Sequence, residues 1–242
     1  MKIVAANWKM NKTLDEARCF IDNYIKRNKN TNVKVIIAAP YTHLHDLTSL
    51  SNGFSVAAQN CHHKSSGAFT GEVSAKMLSS IGVKYVIVGH SERRIYNNES
   101  DEIIKQKLRQ LYDNNLTPIF CCGEQKSERE NNKQFDCIKE QINVLLSFNK
   151  EKIKNTIIAY EPVWAIGTGQ TASSDQAEEM HAYIRTLLEE EIGNDSDSVS
   201  IIYGGSCNVT TASMLFSQPN INGGLIGTAS LDFLDFIQIV NS

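Results

Sequence analysis

Tyr160-Glu161-Pro162-Val163-Trp164-Ala165-Ile166-Gly167-Thr168-Gly169 is a strand that ends in chemistry. The run from Ile157 to Tyr160 is apolar, and it stops at a carboxylate followed at once by proline. Pro162 has no N–H to give a ladder, and it restricts the backbone of Glu161 before it. Val163, Trp164 and Ile166 are apolar residues in what should be a loop, so they need something to close over. Gly167 and Gly169 supply backbone freedom for that closure and for amides that approach a ligand. The stretch reads as a carboxylate base at a strand end, under a hinged apolar lid that expels water.

Outward from this stretch, short apolar runs alternate with longer amphipathic ones along the whole chain. The strands are expected at Ile3–Ala6, Val33–Ala39, Phe54–Ala58, Tyr85–Val88, Thr117–Cys121, Thr156–Tyr160, Val199–Tyr203 and Ile221–Ile226. Between them lie helical patterns. Ile104, Leu108 and Leu111 recur at helical spacing behind a Ser100 cap, with Asp101 and Glu102 in the first turn. Ala177, Met180, Ile184 and Leu187 share another face, opened by a Ser173/Gln176 capping box and closed by Gly193. Eight strand-helix units of roughly 30 residues with no break between them fit an α/β fold. The expected form is a parallel (β/α)₈ barrel occupying residues 1–242 as a single domain. A doubly wound open sheet shares the same alternation and is the runner-up. In a barrel, chemistry collects at the carboxyl ends of the strands. Asn7, His90, Glu161 and Gly227 each fall just after an expected strand, so one face gathers all of them.

Composition narrows the function. With 24 Lys and Arg against 27 Asp and Glu the formal charge is −3, and there is no basic stripe, so neither nucleic acid nor membrane is an expected partner. No apolar run approaches the length of a membrane span, and that of Met1–Asn7 is too short for a signal peptide. The six cysteines form no disulfide framework and two of them, Cys121 and Cys122, are adjacent. A chain of this size buries a core without staples, so the cysteines read as reduced and the protein as cytoplasmic.

Each candidate has a bland reading beside the chemical one. Glu161 is either a surface carboxylate or a general base, and the lid behind it favours the base, since a carboxylate that loses water gains basicity. His90, after Val86-Ile87-Val88-Gly89 and before the helical Ser91-Glu92-Arg93-Arg94, faces a helix N-terminus, which disfavours imidazolium. A neutral imidazole there donates a hydrogen bond to a carbonyl. Lys9 and Asn7 place an ammonium and a carboxamide at the end of the first strand. Gly167, Tyr203-Gly204-Gly205-Ser206 and Gly227-Thr228-Ala229-Ser230 are turns able to hold a phosphate dianion by backbone amides, the last two after the seventh and eighth strands. Gly167-Thr168-Gly169-Gln170-Thr171-Ala172 fits a dinucleotide fingerprint loosely, but it does not turn from a strand directly into a helix. Cys61-His62-His63 lacks a second cluster to complete a metal set, so neither cofactor nor metal is expected. The long loop Asn60–Val73 carries Phe69 between glycines, which argues for function rather than disorder.

Taken with Ala6-Asn7-Trp8-Lys9-Met10-Asn11 and Gly89-His90-Ser91-Glu92-Arg93-Arg94, the opening stretch closely resembles the triosephosphate isomerase family over essentially the whole chain. That enzyme is itself a standard worked example of catalytic pKa tuning. The resemblance implies a (β/α)₈ barrel without cofactor or metal. It implies an isomerase that interconverts dihydroxyacetone phosphate and D-glyceraldehyde 3-phosphate through an enediolate, a step of glycolysis and gluconeogenesis. It makes Glu161 the base, His90 the electrophile, and Lys9 and Asn7 the groups that stabilise the oxyanion, with Ser91 and Glu92 behind them. It assigns the phosphate to Gly167, Ser206, Gly227 and the amide at Thr228, and gives Cys121 and Glu124 structural roles. It also implies a homodimer in which the Asn60–Val73 loop inserts into its neighbour, with Thr70 near Asn7 and Glu92 of the partner subunit.

The chain departs from the family pattern in places. Ala6 stands for a glycine, Thr228 for the second glycine of the phosphate turn, and Gln170 for the lysine that usually ends the lid. Asn220 replaces an acid that usually pairs with the position of Arg185, and Asn222 replaces an aspartate. None is expected to abolish turnover. Two other functions are compatible with the residues: a catalytically silent phosphate-binding barrel with a binding or structural role, and a barrel enzyme for a larger phosphorylated substrate.

Overall fold

Strands hydrogen-bond in chain order and close on themselves in this computed structural model, which describes residues 1–28, 32–166 and 172–242. They are β1 (Lys2–Asn7), β2 (Val33–Ala39), β3 (Ser55–Ala58), β4 (Tyr85–Val88), β5 (Thr117–Cys122), β6 (Ile157–Tyr160), β7 (Ile201–Tyr203) and β8 (Gly223–Ile226). Every pairing is parallel, and β8 returns to β1 with Ile3 opposite Gly223 and Ala6 opposite Ile226. That last pairing decides between the two α/β forms: an open sheet leaves β1 and β8 with other neighbours. Helices α1 (Leu14–Arg27), α2 (Leu44–Leu50), α3 (Ala75–Ser80), α4 (Ser91–Tyr96), α5 (Asp101–Asp113) and α6 (Lys126–Glu130) ring the first half. Helices α7 (Gln134–Leu146), α8 (Lys150–Lys154), α9 (Ser174–Ile192), α10 (Ala212–Phe216) and α11 (Phe233–Val240) ring the second.

Side chains alternate across each strand, so one parity fills the barrel and the other meets the helices. Ile3, Ala5, Ile36, Ala38, Ala57, Ile87, Ile119, Cys121, Ile157, Ala159, Ile202 and Leu225 pack inside. Val4, Ala6, Val35, Ile37 and Ile158 belong to the larger core beneath the helices. Burying one such Ile or Leu contributes about 1.5–3 kcal/mol. On β1, β2 and β6 an isoleucine (Ile3, Ile36, Ile157) lies below an alanine (Ala5, Ala38, Ala159) inside the barrel, and Leu225 and Ile202 stand beside Ala5 and Ala159. The same parity carries on to Asn7 after Ile3 and Ala5, and to Glu161 after Ile157 and Ala159. Both therefore turn into the open end of the barrel.

The expected caps are present. Ser100 accepts from the N–H of Ile103 at the start of α5. Ser173 and Gln176 complete a capping box on α9, whose last residue is followed by Gly193 at φ 63°. Several strands begin later than expected, β8 at Gly223 instead of Ile221 and β7 at Ile201 instead of Val199. At that edge the half-buried Asn222 Oδ1 accepts from the N–H of Ile201 at 2.8 Å, and the Asn222 N–H donates to the Ile201 carbonyl at 2.8 Å. Asn220 has a different partner from the one the family pattern implied. Asn220 bonds to Glu178, its Nδ2 donating to Oε1 at 2.7 Å, and it is Asn222 that meets Arg185 Nη2, at 3.2 Å. The Arg185 guanidinium is buried and also donates to the carbonyls of Ser196 and Val199.

Candidate active site

The carboxyl ends of β1, β4, β6, β7 and β8 surround a cavity of about 390 Å³ lined by Asn7, Lys9, His90, Glu161, Ser206, Gly227 and Thr228 among others. These seven expected residues line one cavity, and Ser91 and Glu92 stand against Glu161 and Lys9. Gly167, expected to bind phosphate, and Gln170, expected at the lid's end, lie outside the described residues.

At the end of β1 the chain turns sharply through Lys9, a non-glycine residue at φ 51°. Such a conformation costs energy and persists only where its surroundings hold it. Here the Lys9 N–H donates to the Asn7 Oδ1 at 3.1 Å, and the Gln59 Nε2 donates to the Lys9 carbonyl at 2.8 Å and to the Ala38 carbonyl at 3.0 Å. The Lys9 ammonium meets the Glu92 Oε1 at 2.6 Å. The turn therefore sends the side chain across the mouth of the barrel instead of out to solvent.

His90 caps α4: its Nδ1 accepts from the N–H of Glu92 at 3.2 Å. With Nδ1 committed as acceptor, Nε2 is the nitrogen that presents a proton to the cavity. Glu161 is buried, its own N–H donating to the Cys122 carbonyl at 2.7 Å. Its Oε2 accepts from the Ser91 N–H at 3.0 Å. Oε1 lies 3.2 Å from the His90 Nε2 but makes no well-directed hydrogen bond. The carboxylate thus has one oxygen held and one uncommitted, which is the state of a group able to leave its resting contact.

Sequence reading passed over the surfaces against which Glu161 rests. A Cβ on Gly204 would lie 2.8 Å from the Glu161 Cγ, and one on Gly123 would fall on the Glu161 carbonyl. Gln59, which holds Lys9 in place, was also missed. The signal for Gly123 and Gly204 was position alone, each falling just after a strand. Cys121 and Glu124 match their structural reading. Cys121 is wholly buried beside Glu161, and burial first, then that carboxylate, pushes its thiol pKa well up. Glu124 is buried and its Oε1 accepts from the Tyr160 hydroxyl at 3.0 Å and the Trp164 Nε1 at 2.8 Å, with Arg129 at 3.4 Å. It pins the first turn after Pro162, Val163–Ala165, to the end of β5. His62 and His63 stack on each other, ring centroids 4.3 Å apart, and His62 stacks on Phe69.

Comparison with known proteins agrees with this geometry. A family model described as triosephosphate isomerase matches residues 2–242. The triosephosphate isomerase of Bacteroides fragilis is 48% identical over 245 residues, covering 99% of this chain and 98% of that protein. That of Flavobacterium psychrophilum is 47% identical over 246 residues, and that of Porphyromonas gingivalis W83 is 46% identical over 247, each with the same two coverages.

Proposed function

The chain belongs to the triosephosphate isomerase family, and from that premise we propose how its barrel mouth interconverts dihydroxyacetone phosphate and D-glyceraldehyde 3-phosphate. Glu161 leaves the Ser91 amide and removes a proton from the carbon next to the carbonyl. The His90 Nε2–H donates to the substrate oxygens and moves protons between them. Negative charge that develops on the enediolate oxygen is met by the Lys9 ammonium and the Asn7 carboxamide, groups already in position before the charge appears. Ser206, Gly227 and the amide of Thr228 take the phosphate, and the family resemblance adds Gly167 to them. Closure of the lid excludes water and keeps the phosphate from being eliminated from the intermediate.

One observation carries the reading: a buried carboxylate, an imidazole N–H and an ammonium face one small cavity whose far wall is two backbone-rich turns. A barrel that only binds phosphate gives Glu161 nothing to do there. The test is isomerisation of D-glyceraldehyde 3-phosphate in a coupled assay, with Glu161→Gln beside the unaltered enzyme. The amide should lower kcat by at least ~10²-fold, the scale of a lost general base. A variant with unchanged turnover would remove Glu161 from the role.

The chain works as a homodimer in this proposal. A second opening of about 290 Å³ beside Lys9 is lined by Met10, Tyr41, Gln59, Glu92 and Arg93, and the Asn60–Val73 loop of a second copy would cover it. Its compartment, on the same proposal, is the cytoplasm, where free thiols such as its six cysteines persist.

A further inference from the structure

We infer that Gln141, a residue of α7 on the outer ring, is a positioning residue for the base. The inference rests on Glu161 being that base. The Gln141 Oε1 accepts from the Gly123 N–H at 2.9 Å, and its Nε2 donates to the Gly123 carbonyl at 3.0 Å. The second proton of the same amide points to the Cys137 Sγ, 3.2 Å away on the preceding turn of α7. One side chain therefore satisfies both polar backbone groups of a residue that lies past the end of β5 and outside its ladder.

Gly123 is the surface on which the base rests. Its Cα lies so close to the Glu161 carbonyl that no side chain fits between them. The neighbouring Cys122 carbonyl accepts the Glu161 N–H at 2.7 Å. The Cys122–Gly123 backbone thus sets where the Glu161 backbone sits, and through it the sweep of the carboxylate. A cavity of about 140 Å³ lies behind the base, lined by Ser91, Gly123, Gln141, Glu161 and Val163 among others. The Gly123 peptide has room to shift into it, and the Gln141 amide is the tether that prevents the shift. Misplacing a reacting group by about 1 Å costs up to ~10²-fold in rate. Ser206, Gly227 and Thr228, which take the phosphate, follow β7 and β8, on separate strands, so those contacts do not pass through this tether.

The test is Gln141→Leu, which keeps the bulk on α7 and removes both bonds. Its kcat should fall by roughly 10-fold, with KM and the inhibition constant of 2-phosphoglycolate within about twofold of the unaltered enzyme. Gln141→Glu keeps an acceptor for the Gly123 N–H but no donor for its carbonyl. It should also lower kcat at unchanged KM, and it carries the test if the leucine variant folds poorly. Ile138→Val, on the same helix but away from Gly123, controls for loosening of α7 and should leave kcat alone. An unchanged kcat in both Gln141 variants, a rise in KM without a fall in kcat, or an equal fall in the Ile138 control would overturn the inference. Glu161→Gln in the same assay separates the two failures. If it stays active, the base is elsewhere. If it is inactive while Gln141→Leu is not, only the tether is wrong.

Discussion

Gly204 shows what one missing side chain does at this site. A methyl group there meets the Glu161 Cγ at 2.8 Å and the Tyr160 carbonyl at 3.2 Å, and neither is the free end of a flexible chain. The carboxylate has to move, so Gly204→Ala should lower kcat by roughly 10- to 100-fold while thermal stability changes little. Steady-state kinetics beside a melting curve checks it, and a variant with normal kcat would mean that the base has slack this geometry does not show. Glu161, His90, Lys9 and Asn7 were legible in the sequence because their chemistry is written in their side chains and each falls at or just past the end of a strand. Gly123, Gln59 and Gln141 were not, and Gly204 was read as part of a phosphate turn and not as the surface beside Glu161. A glycine that admits a neighbouring backbone looks the same in sequence as one that makes a turn, and a glutamine that clamps a peptide 18 positions away looks like surface.

At the scale of the element, α9 carries two buried polar side chains on its barrel face, Arg185 and His181. Burial lowers the Arg185 pKa, and among the described residues its guanidinium bonds only to uncharged oxygens: the Ser196 and Val199 carbonyls and Asn222. Asn222→Asp supplies a carboxylate in place, and the Asp oxygens can still accept from the Ile201 N–H. We expect a gain of about 1 kcal/mol, hence a melting temperature higher by roughly 2–4 °C for a chain of this size. A lower melting temperature would show that desolvating the new charge outweighs the pairing. His181 is wholly buried, and burial holds its pKa down to about 4, from 6.5, although the Ala177 and Ile202 carbonyls act the other way. The folded state thus keeps His181 neutral while the unfolded chain protonates it below pH 6.5. Its contribution to stability is complete above pH 6.5 and is lost as pH falls toward 4, up to roughly 3 kcal/mol. Denaturant unfolding across that window should show a flatter pH slope in His181→Phe than in the unaltered protein. An identical slope would place the proton uptake at another group. The caps of α9 were readable because Ser173, Gln176 and Gly193 act on their nearest backbone. That Asn222 and not Asn220 meets Arg185 was not, since the two residues lie two apart beside the same helix and only the start of β8 decides which one faces Arg185.

For the whole molecule, eight alternating units were legible, but closure was not encoded in that alternation. It depends on β8 finding β1, a pairing between the two ends of the chain. Assembly follows a similar logic, because the surface left open after closure is uneven. Met10 is 96% exposed and Tyr96 78%, both near the Lys9–Glu92 pair, and residues 64–72 of the long loop are all exposed. Phe69 is 42% exposed although it stacks on His62 at 4.4 Å, so the loop has a built shape and an apolar tip. A rigid apolar tip and an uncovered apolar rim on one molecule are what an isologous pair of copies would join. Sedimentation should therefore give twice the 27.0 kDa of one chain at micromolar concentration. Thr70→Arg, which places a charge at the tip without touching the barrel, should shift the mass to that of one chain. If the partner's loop covers the opening beside Lys9, kcat should fall with dissociation, because Lys9 and His90 would then face bulk water and stabilise the enediolate less well. Activity measured on dilution should follow the fraction of dimer. Turnover that stays constant while the mass halves would show that each barrel holds its charges in place alone, and that the exposed rim serves some other contact.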